Sequence, residues 1–75
     1  MSKWETIKTE YSETKQNKLE LQHSENGQFS VRLFSTDENG DYILRRSWTS
    51  LNYWSVMSTY GILKRNFIDY NEFVR

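Results

Sequence analysis

From Lys18 onward, apolar and polar positions alternate with a period of two through three successive runs. The first, Lys18 to Ser24, sets Leu19, Leu21 and His23 against Lys18, Glu20 and Gln22. The second, from Gln28, and the third, ending at Trp48, are rich in β-branched and aromatic residues. Alternation of this kind places one row of side chains on a core and the other in solvent, the mark of a half-buried strand. Glu38-Asn39-Gly40-Asp41 separates the second run from the third, and Asn-Gly supplies positive φ cheaply in a tight hairpin.

The hairpin has a readable register. An Asn39-Gly40 turn sets Leu33 opposite Arg46, Val31 opposite Trp48 and Ser35 opposite Leu44. A four-residue loop, Asp37 to Gly40, pairs Leu33 with Leu44 and Phe29 with Trp48 instead. Both place Phe29, Val31, Leu33, Tyr42, Leu44 and Trp48 on one face, and Ser30, Arg32, Phe34, Ile43, Arg45 and Ser47 on the other. A three-residue loop sets Val31 beside Ser47 and spoils the apolar face, so parity argues against it. The preceding turn, Glu25-Asn26-Gly27, suits a three-residue connection with Gly27 left-handed. It pairs Leu19 with Leu33, Leu21 with Val31 and His23 with Phe29, on the same apolar face.

After Trp48 the period changes to that of a helix. Tyr53, Val56, Met57, Tyr60, Leu63 or Lys64, and Phe67 form a stripe, with Thr49 or Ser50 as the N-cap of a helix over about Leu51 to Lys64. Gly61 weakens this helix and is a candidate end for it. Beyond it, Phe67 to Arg75 is apolar enough to dock, and Asp69-x-x-Glu72 can cap a short turn. Residues 2–16 carry two signals. Ser2-x-x-Glu5 and the spacing of Trp4, Ile7 and Tyr11 suit a helix, whereas Thr6, Ile7, Thr9 and Tyr11 are strand formers alternating with Lys8 and Glu10. The strand is favoured, with Ser12 to Asn17 a polar connection. The expected fold is α+β, a single domain (residues 1–75) with a three- or four-stranded antiparallel β-meander and a C-terminal α-helix packed on one face. The other face is left open.

Composition narrows the chemistry. The chain has 75 residues, no cysteine and one histidine, His23, so neither disulfides nor a multi-histidine metal site is expected. Small domains without such braces pack aromatics densely or dimerise, and aromatics are 16% of this chain. Ten basic residues balance ten acidic ones, which disfavours a nucleic-acid partner, since phosphate neutralisation calls for a basic excess. No apolar run reaches the length of a signal peptide or membrane span, so a cytoplasmic, membrane-free protein is expected. The absence of Ala and Pro, beside abundant Ser, Thr, Asn, Lys and Glu, suits an AT-rich genome such as that of a low-GC bacterium or its phage.

Candidate functional residues lie on the open face and at the helix start. Arg32, Phe34, Ile43 and Arg45 put an aromatic among guanidiniums on a sheet, the arrangement that stacks bases and holds phosphates. Lys15, Lys18, Lys64 and Arg65 are candidate extensions of that patch. The same residues suit ordinary cross-strand pairing, or half of a dimer or partner interface. Arg45 and Arg46 are adjacent and point to opposite faces of a regular strand, so they make no joint patch, and Arg46 can lie along Trp48. Trp54 is left partly exposed with Leu51 if Tyr53 packs inward, and an exposed Trp suits a binding anchor. The alternative packs it beside Trp4. His23 stands alone, Asp37, Glu38 and Asp41 crowd a turn, and no GxSxG nucleophile context occurs.

The order of strands followed by one C-terminal helix is similar to that of single-strand-binding domains of the Whirly and transcriptional-coactivator type. It also resembles the arm-binding domains of phage-type integrases, and these likenesses of layout imply nucleic-acid binding. The residues themselves favour a non-enzymatic protein without cofactor. The expectation is a phage or mobile-element type modulator or inhibitor that docks on a host protein through Arg32, Phe34, Ile43, Arg45 and Trp54, and that can form a homodimer. The alternative is a single-stranded DNA or RNA module using Arg32, Phe34, Arg45, Lys64 and Arg65.

Overall fold

A computed structural model describes residues 3–69. Strands β1 (Trp4–Tyr11), β2 (Asn17–Ser24), β3 (Phe29–Thr36) and β4 (Tyr42–Ser50) pair antiparallel in sequence order. Helix α1 (Tyr53–Leu63) and a π-helical turn (Lys64–Ile68) follow. The expected meander with one C-terminal helix is therefore the observed architecture, with four strands. In β1 the β-branched residues prevail over the helical spacing, because Thr and Ile lose side-chain freedom in a helix and regain it on a pleated surface.

The first β2–β3 hairpin has the register that its sequence predicts: Leu19 faces Leu33, Leu21 faces Val31 and His23 faces Phe29. Its loop is closed by Ser24 N–H donating to the Gln28 carbonyl (2.9 Å), with Gly27 at φ +83°.

The β3–β4 hairpin corrects the sequence reading. Its loop is the three-residue Glu38-Asn39-Gly40, closed by Asp37 N–H donating to the Asp41 carbonyl (2.9 Å), with Gly40 at φ +84°. The Asp37 carboxylate accepts from the N–H groups of Asn39 (2.8 Å) and Asp41 (3.0 Å), bracing this loop from within. Thr36 thus faces Tyr42, Ser35 faces Ile43 and Phe34 faces Leu44. Parity is then restored by a bulge. Arg45 is the extra residue, and beyond it Leu33 faces Arg46 and Val31 faces Trp48. The bulge exchanges two rows of the turn-proximal strand. Tyr42 and Leu44 lie on the face of Phe34, away from the helix, and Ile43 turns to the helix side, the reverse of the alternation argument.

The core consists of Leu19, Leu21, Val31 and Leu33 from the two central strands, covered by Val56, Tyr60, Leu63 and Ile68. Phe29, Met57 and Phe67 pack around it. Neither edge strand contributes a fully buried side chain. The helix starts later than expected, because β4 continues to Ser50 and the N-cap is Asn52 rather than Thr49 or Ser50. The Asn52 side chain accepts from Trp54 N–H (3.0 Å) and Ser55 N–H (3.4 Å). Gly61 does not end the helix. It lies on the exposed side, where its missing side chain removes no core contact, and helical structure continues to Ile68. At that end Asn17 Nδ2 donates to the Phe67 carbonyl (3.2 Å), tying the last turn to the start of β2. Within the C-terminal segment, Phe67 and Ile68 pack inward as expected, and the Asp69-x-x-Glu72 turn and the docking of Tyr70 to Arg75 lie outside the described residues.

Candidate functional site

The face of the sheet opposite the helix is built by the even positions of β2 and β3. Lys18 stands opposite Phe34, and Glu20 stands opposite Arg32. Tyr11 pairs with Lys18 from β1, and Tyr42 arrives on this face through the bulged register of β4. The Lys18 ammonium lies 4.5 Å from the Phe34 ring centroid and 4.7 Å from that of Tyr42, and pairs with Glu20 at 3.1 Å. Arg32 lies 5.4 Å from the Trp4 ring. Phe34, Tyr42 and Trp4 therefore each have a cation already over the ring, an arrangement that satisfies their quadrupoles from within. Glu20 is held by Lys18 rather than by Arg32, the cross-strand partner that its sequence position offers.

The expected open-face patch of Arg32, Phe34, Ile43 and Arg45 is divided between surfaces, and Trp54 stands apart from it at the start of α1, where it was expected. Arg32 and Phe34 are on the open face, and Ile43 points to the helix side. Arg45 Nε donates to Ser35 Oγ (2.6 Å), which shares the side of Leu33. The Arg46 guanidinium lies 5.9 Å from the Phe67 ring rather than along Trp48. Both arginines thus lean toward the helix side, which a regular strand forbids and a bulge permits. Lys64 and Arg65 also leave the open face. Lys64 pairs with Asp69 (2.8 Å) and Glu10 (3.8 Å), and Arg65 is exposed on the π-helical turn. The Lys15 carbonyl accepts the Tyr42 hydroxyl (2.6 Å) at a left-handed turn residue.

The second surface surrounds the junction of β4 and α1. Trp54 is 75% exposed, Leu51 68%, Trp48 49% and Tyr53 41%. Trp54 is thus turned outward with Leu51 rather than packed beside Trp4, which lies across the sheet with Arg32. The cluster is nonetheless ordered by its neighbours. Trp48 Nε1 donates to Ser55 Oγ (3.1 Å), and Tyr53 makes edge contacts with Trp54 (5.3 Å) and Phe29 (5.1 Å). Phe29 in turn stacks on His23 at 4.6 Å, so the lone histidine ends a ladder of rings. Sequence reasoning found Trp54 and Leu51 and missed Trp48, which it assigned to the covered face. The face is right, but the helix begins after Trp48 and does not extend over it.

The remaining polar groups on the helix side form a network. The Tyr60 hydroxyl donates to Glu10, which also receives Lys8 at 3.9 Å. Burial, with the Glu10 carboxylate adding to it, raises the Tyr60 phenol well above its ordinary value. The hydrogen bond to Asp69 raises the Lys64 ammonium. An open cleft of about 510 Å³ is lined by Lys3, Trp4, Glu5, His23, Ser24 and Glu25. Among the described residues, no group of three or more His, Asp and Glu side chains converges well enough to hold a metal ion. No helix among them is long and apolar enough to cross a membrane. No protein-family model, curated protein or solved structure matches the chain.

Proposed function

We propose that the chain is a small non-enzymatic binding protein that docks on another protein through the apolar junction of β4 and α1. One observation carries this reading: Trp48, Leu51, Tyr53 and Trp54, within seven residues, are all large and all at least 41% exposed. Single exposed apolar residues are ordinary, but a contiguous group rich in Trp and Tyr has the composition of interface anchors. The junction is also preorganised, since Asn52 caps the helix and Ser55 holds the Trp48 indole. A modulator or inhibitor of the protein it docks on suits this size and surface. The nucleic-acid alternative has less support, because the open-face cations already sit on their own aromatic rings and the net charge is zero.

Affinity capture with wild type, Trp54→Ala and Phe34→Ala, beside titration of single- and double-stranded oligonucleotides at low and moderate salt, tests the reading. Expected is a stoichiometric protein complex lost in Trp54→Ala and kept in Phe34→Ala. Salt-sensitive oligonucleotide binding that is lost in Phe34→Ala would overturn it in favour of the open face.

A further inference from the structure

We propose that the outer edge of β4 receives an extended acidic segment of the partner protein, which adds as a fifth strand and is gripped by Arg45 and Arg46. This rests on the protein-binding reading above and assigns it a strand, a charge and a geometry. β4 ends the sheet, so the backbone N–H and C=O groups that point away from β3 have no ladder partner among the described residues. It is nine residues long, and Ile43 through Thr49 are exposed. Such an edge is a template for strand addition, with the backbone ladder supplying affinity and side-chain sites supplying selectivity.

The charge pattern says which strand fits. From Tyr42 to Leu63 the only charged residues are Arg45 and Arg46, and among the described residues neither guanidinium has a carboxylate within 4.0 Å. The bulge turns both toward one side, where an unbulged strand would separate them, with Arg45 Nε on Ser35 Oγ and the Arg46 guanidinium over the Phe67 ring. Arginine suits this role, since its planar fork meets a carboxylate bidentately. The other edge differs: β1 mixes Glu5, Lys8 and Glu10, and Glu10 is already engaged by Tyr60 and Lys64.

A second copy of β4 is a poor occupant. Antiparallel self-pairing centred on the arginines brings four guanidiniums together, and like charges across a strand pair repel. A phosphate backbone meets the two arginines with acceptor oxygens alone and lacks the N–H donors that alternate with acceptors in a strand ladder. It would also leave the exposed Ile43, Leu44 and Trp48 without apolar contact.

Selection from a random twelve-residue peptide library on the full chain tests the proposal. Recovered peptides, and a single-stranded oligonucleotide of the same length, are then titrated by fluorescence anisotropy. Expected peptides alternate carboxylates with β-branched or aromatic residues. Their affinity should fall at least tenfold in Arg45→Glu/Arg46→Glu, less in Arg45→Gln/Arg46→Gln, and be lost when a central peptide residue becomes proline. Circular dichroism of both variants establishes that they remain folded, and the neutral pair decides the matter if charge reversal unfolds the chain. Recovery of no peptide, of peptides without acidic enrichment, or of binders indifferent to both double variants overturns the proposal. Binders lost in Trp54→Ala but indifferent at the arginines would overturn the edge site and leave the protein-binding reading standing. Oligonucleotide binding abolished by charge reversal would overturn both.

Discussion

Tyr60 buries its ring in the core while its hydroxyl reaches Glu10 at the far edge of the sheet. Its folded-state pKa lies above the unfolded value near 10.0, chiefly through burial and then through the carboxylate. A raised pKa contributes stability that is complete below the unfolded value and is lost as pH rises toward the folded one. Lys64, raised by its hydrogen bond to Asp69, acts in the same direction. Urea midpoints are therefore expected to fall as pH climbs above about 10, with a shallower fall in Tyr60→Phe. An unchanged alkaline slope in that variant would remove Tyr60 from the account. Its cost at neutral pH is about 1–3 kcal/mol, the worth of a hydrogen bond to a charged acceptor. Trp54→Ala belongs to the same scale with the opposite expectation. That side chain is 75% exposed, so thermal unfolding should shift by less than about 0.5 kcal/mol, and a larger loss would mean the indole serves folding.

In β4, a bulge matters more than any side chain it carries. The Asp37-braced loop sets one parity and the apolar pairs of β3 demand the other; Arg45 is the residue that reconciles them. Deleting Arg45 should therefore force either the loop or the outer half of β4 out of register. Arg45→Ala keeps the residue count and loses only the bond to Ser35, at a cost of less than about 1 kcal/mol. Nuclear Overhauser contacts between Ser35 and Ile43 and between Val31 and Trp48 check this. Both sets should survive in Arg45→Ala, and one should vanish in the deletion; coexistence of both in the deletion would refute the compensating bulge. At the start of α1, Asn52→Ala should cost about 1 kcal/mol by freeing the Trp54 and Ser55 amides, read as a lower melting temperature.

The molecule has one thin core with two exposed edges. Its extents of 40 × 27 × 16 Å accommodate a sheet and one layer of helix, and among the described residues no second layer of strand or helix lies over the other face. The fully buried apolar side chains in the sheet come from β2 and β3. A chain of this length has a total stability on the order of 4–11 kcal/mol, and truncating a fully buried leucine removes roughly 2–5 kcal/mol. Leu19→Ala, at a site with no exposure, is thus expected to unfold the chain largely at moderate temperature, which calorimetry would register as a lost or sharply lowered transition. The β4 edge, carrying little of this core, leaves Trp48 and the arginine pair exposed.

Strand identity, the Gly27 hairpin, the β2–β3 register and the apolar stripe of the helix were legible in the sequence, because each depends on local periodicity and turn chemistry. The exposure of Trp54 was legible by the same helical geometry. The composition of each sheet face beyond β2 and β3 was not. A single bulged residue reverses the facing of every side chain between it and the turn, and alternation along one strand carries no trace of which residue will bulge. Only pairing with β3 made Arg45 that residue, and only that pairing moved Tyr42 and Leu44 to the open face and drew Arg45 and Arg46 to one side. The sequence by itself determined which segments are strands and helix; the tertiary structure decided which candidate side chains meet, because that depends on register, a property shared between strands rather than held by either.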